Sequence, residues 1–316
     1  MYDAVVVGGG PAGLAAATWL GRYRRRTLLV DSGAYRNAAV DASHGYLGSD
    51  GINPGDLRAR ARADLAAYET VEICPGSVTS ITGERGAFAV QIGAETVDAL
   101  RVVLATGVSD SLPELDNFAE HYGAGAFHCP TCDGYEASGK NVVAVGWSAA
   151  AAGFALLLLD WAETVTLVTD ARRFEGDDAC REAMAKNGIE LIEDDAVALE
   201  GSRGDLRAVV MRGGRRLPCE LFFFSIAHHP HAELARHLGC AITPEGHVDV
   251  DDAGQTSVPG VYAAGDLTPG MQLLQVAAAK GTIAGVSAAM SLQGEPGAPD
   301  SPRPGPNPAA ELQSPE

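Results

Sequence analysis

The stretch Ala4-Val5-Val6-Val7-Gly8-Gly9-Gly10-Pro11-Ala12-Gly13 decides the fold. Its apolar run reads as a strand buried on both faces, and the glycine loop behind it opens an alanine-rich helix. Gly8, Gly10 and Gly13 fit G-x-G-x-x-G in the strand–turn–helix setting that the pattern requires. The first glycine makes the turn, the second lets backbone approach a pyrophosphate, and the third packs helix on strand. Thr27 to Val30 reads as the next strand and ends in Asp31, well placed to bond a ribose hydroxyl. Together these residues predict a dinucleotide site in an α/β domain.

Further strands extend that domain. Arg101 to Leu104 runs into Ala105-Thr106-Gly107, and Gly260 to Ala263 runs into Ala264-Gly265-Asp266. Gly265 would allow close backbone approach, and Asp266 could bond a polyol chain. Between them Asn141–Val145, the turn Gly146-Trp147-Ser148-Ala149-Ala150-Ala151, a helix over Ala152–Ala162 and the strand Val165–Val168 form a second βαβ unit. The expected fold class is α/β, with two Rossmann-like dinucleotide-binding domains, the second inserted in the first. Residues 1–112 and 245–295 form the outer domain and 116–242 the insert. Two-stranded hinges are expected near Val108–Asn117 and Cys240–His247. Beyond these, 296–316 holds seven prolines and no aromatic residue, the composition of an extended tail.

The chain has 316 residues, 38 of them glycine, and a formal net charge of −18. That charge argues against nucleic acid and anionic membrane surfaces as partners. Arg22, Arg24, Arg25 and Arg26 form the dense basic cluster and read as a solvated helix end. The longest apolar run, Ala149 to Leu159, is too short to span a bilayer. With a strand starting in the first residues and no signal peptide, a reducing cytoplasm is the expected location.

Cys129-Pro130-Thr131-Cys132-Asp133-Gly134 carries the chemistry. A C-x-x-C pair can be a metal half-site, a structural pair or a redox disulfide. Zinc sites want four ligands, and Cys74, Cys180, Cys219 and Cys240 are scattered singly, as buried small hydrophobes are. His128 adds at most a third ligand. His228, His229, His231 and His237 are interrupted by Pro230 and read as a surface loop, so no metal is expected. Redox use is favoured, because such pairs close reversibly and lower one thiol's pKa.

In this order the two strand ends, the glycine loop and the inserted fold resemble the two-dinucleotide-binding-domain flavoproteins. With C-x-x-C-D-G inside the insert, residues 1 to 293 look like the low-molecular-weight thioredoxin reductase family. Asp31-Ser32-Gly33-Ala34-Tyr35-Arg36-Asn37 and His44-Gly45-Tyr46-Leu47-Gly48 are similar to that family's FAD-binding segment. The resemblance implies one FAD, held by Gly8, Gly10, Pro11, Ala12, Gly13, Asp31, Ser32, Arg36, Asn37, His44, Ala105, Thr106, Gly107, Gly265 and Asp266. It further implies that Gln275 and Val276 open a helix whose amides face the flavin's pyrimidine edge.

By the same resemblance Cys132 is the flavin-proximal thiol, Cys129 the interchange thiol and Asp133 the acid–base for the leaving thiolate. Thiol exchange needs a thiolate and a proton shuttle, and a neighbouring carboxylate can serve. A homodimer, a large domain rotation and a thioredoxin-like or small-molecule disulfide partner are implied likewise. Related FAD-dependent dithiol oxidases, which use oxygen, usually carry histidine directly after the C-x-x-C. Asp133 is the reductase version; Tyr135-Glu136 looks like both branches.

The second nucleotide loop departs from the family pattern. Members using NADPH carry G-x-G-x-x-A there and a His-Arg-Arg cluster after the next strand. Here Ser148 replaces the second glycine, bulky Trp147 stands beside it, and Asp170 would repel a 2′-phosphate. Arg172 and Arg173 could replace part of the cluster. The expectation is an FAD-dependent disulfide oxidoreductase that uses NADPH inefficiently, with electrons from a protein or a second flavin. NADH bound through Asp170, weak NADPH binding, a dithiol oxidase and a non-enzymatic flavin redox sensor are the alternatives.

Overall fold

The computed structural model describes residues 1–293, so the proline-rich segment lies outside the described residues. The chain divides into two compact units. Among the described residues, one comprises 1–34, 58–107 and 230–293; the other comprises 35–57 and 108–229.

In the first unit, strands Val71–Pro75, Thr27–Asp31, Tyr2–Val7 and Glu95–Leu104 lie side by side in parallel, with Val261–Ala263 also parallel to Glu95–Leu104. The outer part of Glu95–Leu104 continues into an antiparallel ribbon with Ala87–Ile92 and Val78–Glu84. The opening strand shows why an unbroken apolar run was needed. Ala4 and Val6 point into one core, Val5 and Val7 into the other. Each valine so buried contributes roughly 1.5–3 kcal/mol.

The second unit repeats the logic. Its sheet is ordered Glu190–Ile192, Thr164–Val168, Asn141–Val145, Leu221–Phe224, Ala126–Phe127, all parallel. Val142 and Ala144 face one core, Val143 and Val145 the other. An antiparallel sheet of Ala196–Ser202, Asp205–Met211 and Arg216–Pro218 covers one side of the Val143–Val145 core through Leu199, Val209 and Leu217. Both units are therefore Rossmann-like, the α/β class read from the sequence.

Four expectations need correction. The second chain crossing is not at Cys240–His247: strand His228–Pro230 pairs with Val108–Asp110, and the chain is already back in the first unit at Pro230. Ala232, Ala235 and Cys240 pack with Val5 and Val7, which makes that stretch core. His228 and His229 thus lie in a strand, where a surface loop was expected. Segment 35–57 groups with the second unit, because Arg203 bonds the Ala39 carbonyl and Asp41, and Gly123 lies against Ala39. Finally, Cys219 and Cys240 are buried as expected but Cys74 and Cys180 are only half-buried.

Among the described residues no helix is long and apolar enough to cross a membrane.

Candidate active site

The first glycine loop is built by backbone crowding on two sides and left open on a third. Gly8 has φ +111°, and a Cβ there would sit 2.3 Å from the Ala105 carbonyl oxygen. A Cβ on Gly13 would sit 1.8 Å from the Gly8 carbonyl oxygen. Gly10 differs: its Cβ would meet nothing within 4 Å. The protein itself requires glycine at Gly8 and Gly13, whereas the space beside Gly10 is open. Behind it, Pro11 opens helix Pro11–Arg22 at the first position, and Gly10, its N-cap, has no side chain to cap the first amides. An open backbone face next to uncapped amides fits the pyrophosphate of a dinucleotide.

The neighbouring predicted residues gather on this loop. Asp31 is buried, accepts the Gly33 N–H at 2.9 Å, pairs with Arg62 and lies directly over Gly9. Arg62 went unread because it sits in a polar helix, Pro54–Leu65, with no motif around it. Ser32 follows, exposed at the strand end. Gly265, at φ +76°, would place a Cβ 2.8 Å from that of Ala12. Asp266 follows in the same short turn. Helix Leu274–Ser291 carries Gln275 and Val276 in its first turn. Its Gly281 and Gly285 admit the backbone of Ala12 and Ala16, so small residues lock the first and last helices together.

Two further residues in this unit were missed. The Thr106 hydroxyl donates to the His231 carbonyl at 2.8 Å, and the His231 N–H returns a bond to Gly107, at 3.0 Å. His231 thus pins the turn Ala105-Thr106-Gly107. Lys280 donates to the Pro269 carbonyl at 2.8 Å and lies 3.3 Å from that of Thr268. It caps the loop that carries Asp266; a single lysine in an alanine-rich helix was its only signal.

In the second unit Cys129 and Cys132 form a disulfide, with S–S 2.07 Å and Cα–Cα 5.2 Å. Cys129 is the N-cap of the short helix Pro130–Asp133, with Pro130 at its first position. The Cys132 N–H donates to Cys129 Sγ at 3.1 Å. Asp133 is 9% exposed, and burial, reinforced by the charge of Glu136, pushes its carboxyl up to about 7. Gly134 has ordinary helical φ, but a Cβ would lie 2.4 Å from the Pro130 carbonyl oxygen and 2.6 Å from the Trp161 ring. The glycine of C-x-x-C-D-G is thus a packing requirement of the Trp161 face.

Three predicted flavin contacts, Arg36, Asn37 and His44, also belong to this unit. Arg36 makes paired hydrogen bonds to Asp110 at 2.6 and 2.7 Å. Burial raises the Asp110 carboxyl, but Arg36 and His128 outweigh it and hold it low. His128, beside Cys129, has its Nε2 3.8 Å from Asp110, while burial depresses its imidazole. His44 faces Glu136.

The second glycine loop is occupied by its own side chains. Ser148 caps helix Ala149–Leu158, accepting the Ala151 N–H at 3.3 Å. The Arg172 guanidinium stacks 3.8 Å above the Trp147 ring, and the Glu175 N–H bonds the Trp147 carbonyl at 2.7 Å. Asp170 and Ala171 both adopt φ +56° in the turn between them. Burial and Asp195 raise the Asp170 carboxyl. Among the described residues no three His, Cys, Asp or Glu side chains gather as a metal-ligand set.

The family model for pyridine nucleotide-disulphide oxidoreductases matches residues 2–281. A stretch of 143 residues is 43% identical to a protein of Arthroderma benhamiae and spans 35% of that protein's length. The thioredoxin reductase tcpT of Claviceps purpurea is 30% identical over 92% of this chain and 94% of its own. The crystal structure of an oxidoreductase from Agrobacterium tumefaciens superposes with a TM-score of 0.83 at 34% identity, covering 92% of this chain and 98% of that one. The chain therefore belongs to the pyridine nucleotide-disulphide oxidoreductase family, as a thioredoxin reductase-like flavoenzyme.

Proposed function

We propose that this chain passes electron pairs between FAD and a disulfide through Cys129 and Cys132, without efficient entry of NADPH at the second glycine loop. The carrying observation is the Cys129–Cys132 disulfide with a buried carboxyl, Asp133, poised near neutral pH beside it. The substrate is a thioredoxin-like protein or a small-molecule disulfide, and the working form is a homodimer.

FAD, held by Gly8, Gly10, Gly13, Asp31, Gly265 and Asp266, would supply the electron pair that reopens the disulfide. The rest is done by the chain's own groups. The Cys129 thiolate attacks one sulfur of the substrate, forming a mixed disulfide and breaking the substrate S–S bond. Asp133 gives its proton to the departing thiolate. Cys132, as thiolate, then attacks Cys129 Sγ, which closes the internal disulfide and releases the second substrate thiolate; solvent supplies the second proton. The substrate gains two electrons from the Cys129–Cys132 pair and two protons, one from Asp133 and one from solvent. A Cys132 N–H aimed at Cys129 Sγ favours the thiolate form of the attacking sulfur. An acid of pKa about 7 is half-protonated at neutral pH, so it can both give and recover a proton.

NADPH entry is disfavoured because Ser148 caps the helix that would greet a phosphate and Arg172 is stacked on Trp147. The test is anaerobic rapid mixing of the flavin-loaded protein with NADPH, NADH or reduced ferredoxin. Slow bleaching by NADPH is expected, and rapid bleaching would overturn this part. Cys132→Ser should leave dithionite-reduced enzyme unable to reduce a disulfide through turnover. Parental rates in that variant would overturn the cysteine assignment.

A further inference from the structure

We infer that His44 and Glu136 are positioning residues for Asp133, holding a second carboxylate beside the buried acid and so tuning where it exchanges its proton. The inference rests on the reading of Asp133 as the acid–base above. It arises from a side chain that the sequence placed elsewhere: His44 was expected at the flavin.

Asp133 closes the helix Pro130–Asp133, and Glu136 lies in the following turn Tyr135–Ala137, three residues on. That spacing brings the two side chains to one side of the backbone. Glu136 Oε1 lies 3.4 Å from His44 Nε2, while Glu136 Oε2 is buried with no hydrogen-bond partner among the described residues. A buried carboxylate oxygen left unsatisfied is costly, so its retention asks for a reason. On its other side His44 Nδ1 lies 3.8 Å from Asp50, whose carboxylate also takes the Gly45 N–H at 2.7 Å. Both ring nitrogens of His44 thus face oxygens that only accept. A ring carrying hydrogen on both nitrogens would pair with both carboxylates.

The result is a line of ionisable groups from the exposed Asp50 through His44 and Glu136 to buried Asp133. The ionisable neighbours acting on or with Asp133 are Glu136 and Tyr122. Burial, with Asp110 next in effect, pushes the Tyr122 phenol up to about 12, so it stays neutral in the working range. Arg36, Asp110 and His128 form their own group around Asp110. Glu136 is therefore the neighbour whose charge favours the protonated form of Asp133, and a protonated His44, 3.4 Å away, would offset that charge.

The two partners should therefore act with opposite sign. The experiment measures the rate at which dithionite-reduced, flavin-loaded enzyme reduces hydroxyethyl disulfide, whose leaving thiolate needs a proton, from pH 5.5 to 9. In the parent the rate should fall as pH rises through the Asp133 value, about 7. Asp133→Asn should be slow throughout and lack this limb. Glu136→Gln should move the limb to lower pH by roughly one unit, the size of a single-charge interaction. His44→Gln, which keeps a hydrogen-bonding amide but no charge, should move it to higher pH. A purely structural role would lower the whole profile without displacing it. Limbs that stay in place, or that move in the same direction in both variants, overturn the inference. A limb that survives in Asp133→Asn overturns the acid–base reading of Asp133 and this inference with it.

Discussion

The two glycine loops, Gly8–Gly13 and Gly146–Ala151, begin from the same plan and part over what fills them. In both, a strand buried on two faces turns into a helix. In both, the first glycine is required by crowding: Gly8 against Ala105, Gly146 against Ala151 and the Ser225 carbonyl. At the second position Gly10 leaves open space, whereas Ser148 uses its hydroxyl to cap its own helix. At the third, Gly13 must be glycine, whereas Ala151 is buried and tolerated. A turn that retains its glycines only where the backbone needs them is a structural turn. A turn that also keeps one where nothing in the protein touches it leaves room for a ligand.

The largest effect expected from breaking this comparison is at Gly13. Gly13→Ala would drive a Cβ into the Gly8 carbonyl, and backbone has to move. A loss of about 3 kcal/mol or more is expected, the upper range for an overpacked site. Urea unfolding of the flavin-free protein checks it. An unchanged midpoint would show that the first loop is not packed as described.

Gly10→Val comes next and separates ligand from fold. Gly10 has φ −76° and open space beside it, so the flavin-free protein should lose no more than about 1 kcal/mol, the cost of an aliphatic N-cap. FAD affinity should fall about 10- to 100-fold, equivalent to roughly 1.4–2.8 kcal/mol. Flavin fluorescence titration reads it. Retained affinity would mean that the pyrophosphate does not run past Gly10.

The converse substitution opens the second loop. Trp147→Gly with Ser148→Gly removes the ring under Arg172 and the hydroxyl at the helix start. Anaerobic bleaching of the flavin by NADPH or NADH should then quicken by about fivefold, roughly 1 kcal/mol of barrier. No change would mean that the groove is closed by more than these two side chains.

How much of this was legible beforehand follows from the range over which residues act. The glycine positions, the strand runs and Asp133 next to Cys132 are local patterns, and their period or spacing carries the physics. Val5 and Val7 against Ala4 and Val6 needed no partner to be read as a doubly buried strand. Pairings between distant segments left no such trace. Arg62 on Asp31, Arg36 on Asp110 and His44 on Glu136 join residues far apart in the chain, each on a segment without periodicity. Asp31 and His44 were assigned to a ligand from their motif, yet each has a protein partner that the motif does not encode. The return crossing failed for a related reason: Pro230 among histidines looks like a loop, and only the burial of Ala232 and Ala235 shows that core begins there. Gly134 was quoted in its motif without a cause, because its cause is Trp161, well downstream.

The smallest effect is the most discriminating for Ser148, which can matter as a cap or as an obstacle. As a cap it satisfies one amide of helix Ala149–Leu158, so Ser148→Ala should cost about 1 kcal/mol and leave bleaching by reduced nicotinamides unchanged, since a methyl still stands in the way. Ser148→Gly should cost only a few tenths of a kcal/mol, because glycine tolerates the N-cap conformation and lets water reach the amide. It should nevertheless account for part of the gain seen in the double variant. Thermal unfolding and anaerobic mixing on the same two variants decide between the roles. A larger stability loss in the alanine variant with equal bleaching in both would mean that the hydroxyl is a cap and the space it occupies is immaterial to nucleotide entry. Faster bleaching in the glycine variant alone would mean that a single side chain separates this loop from the one at Gly10.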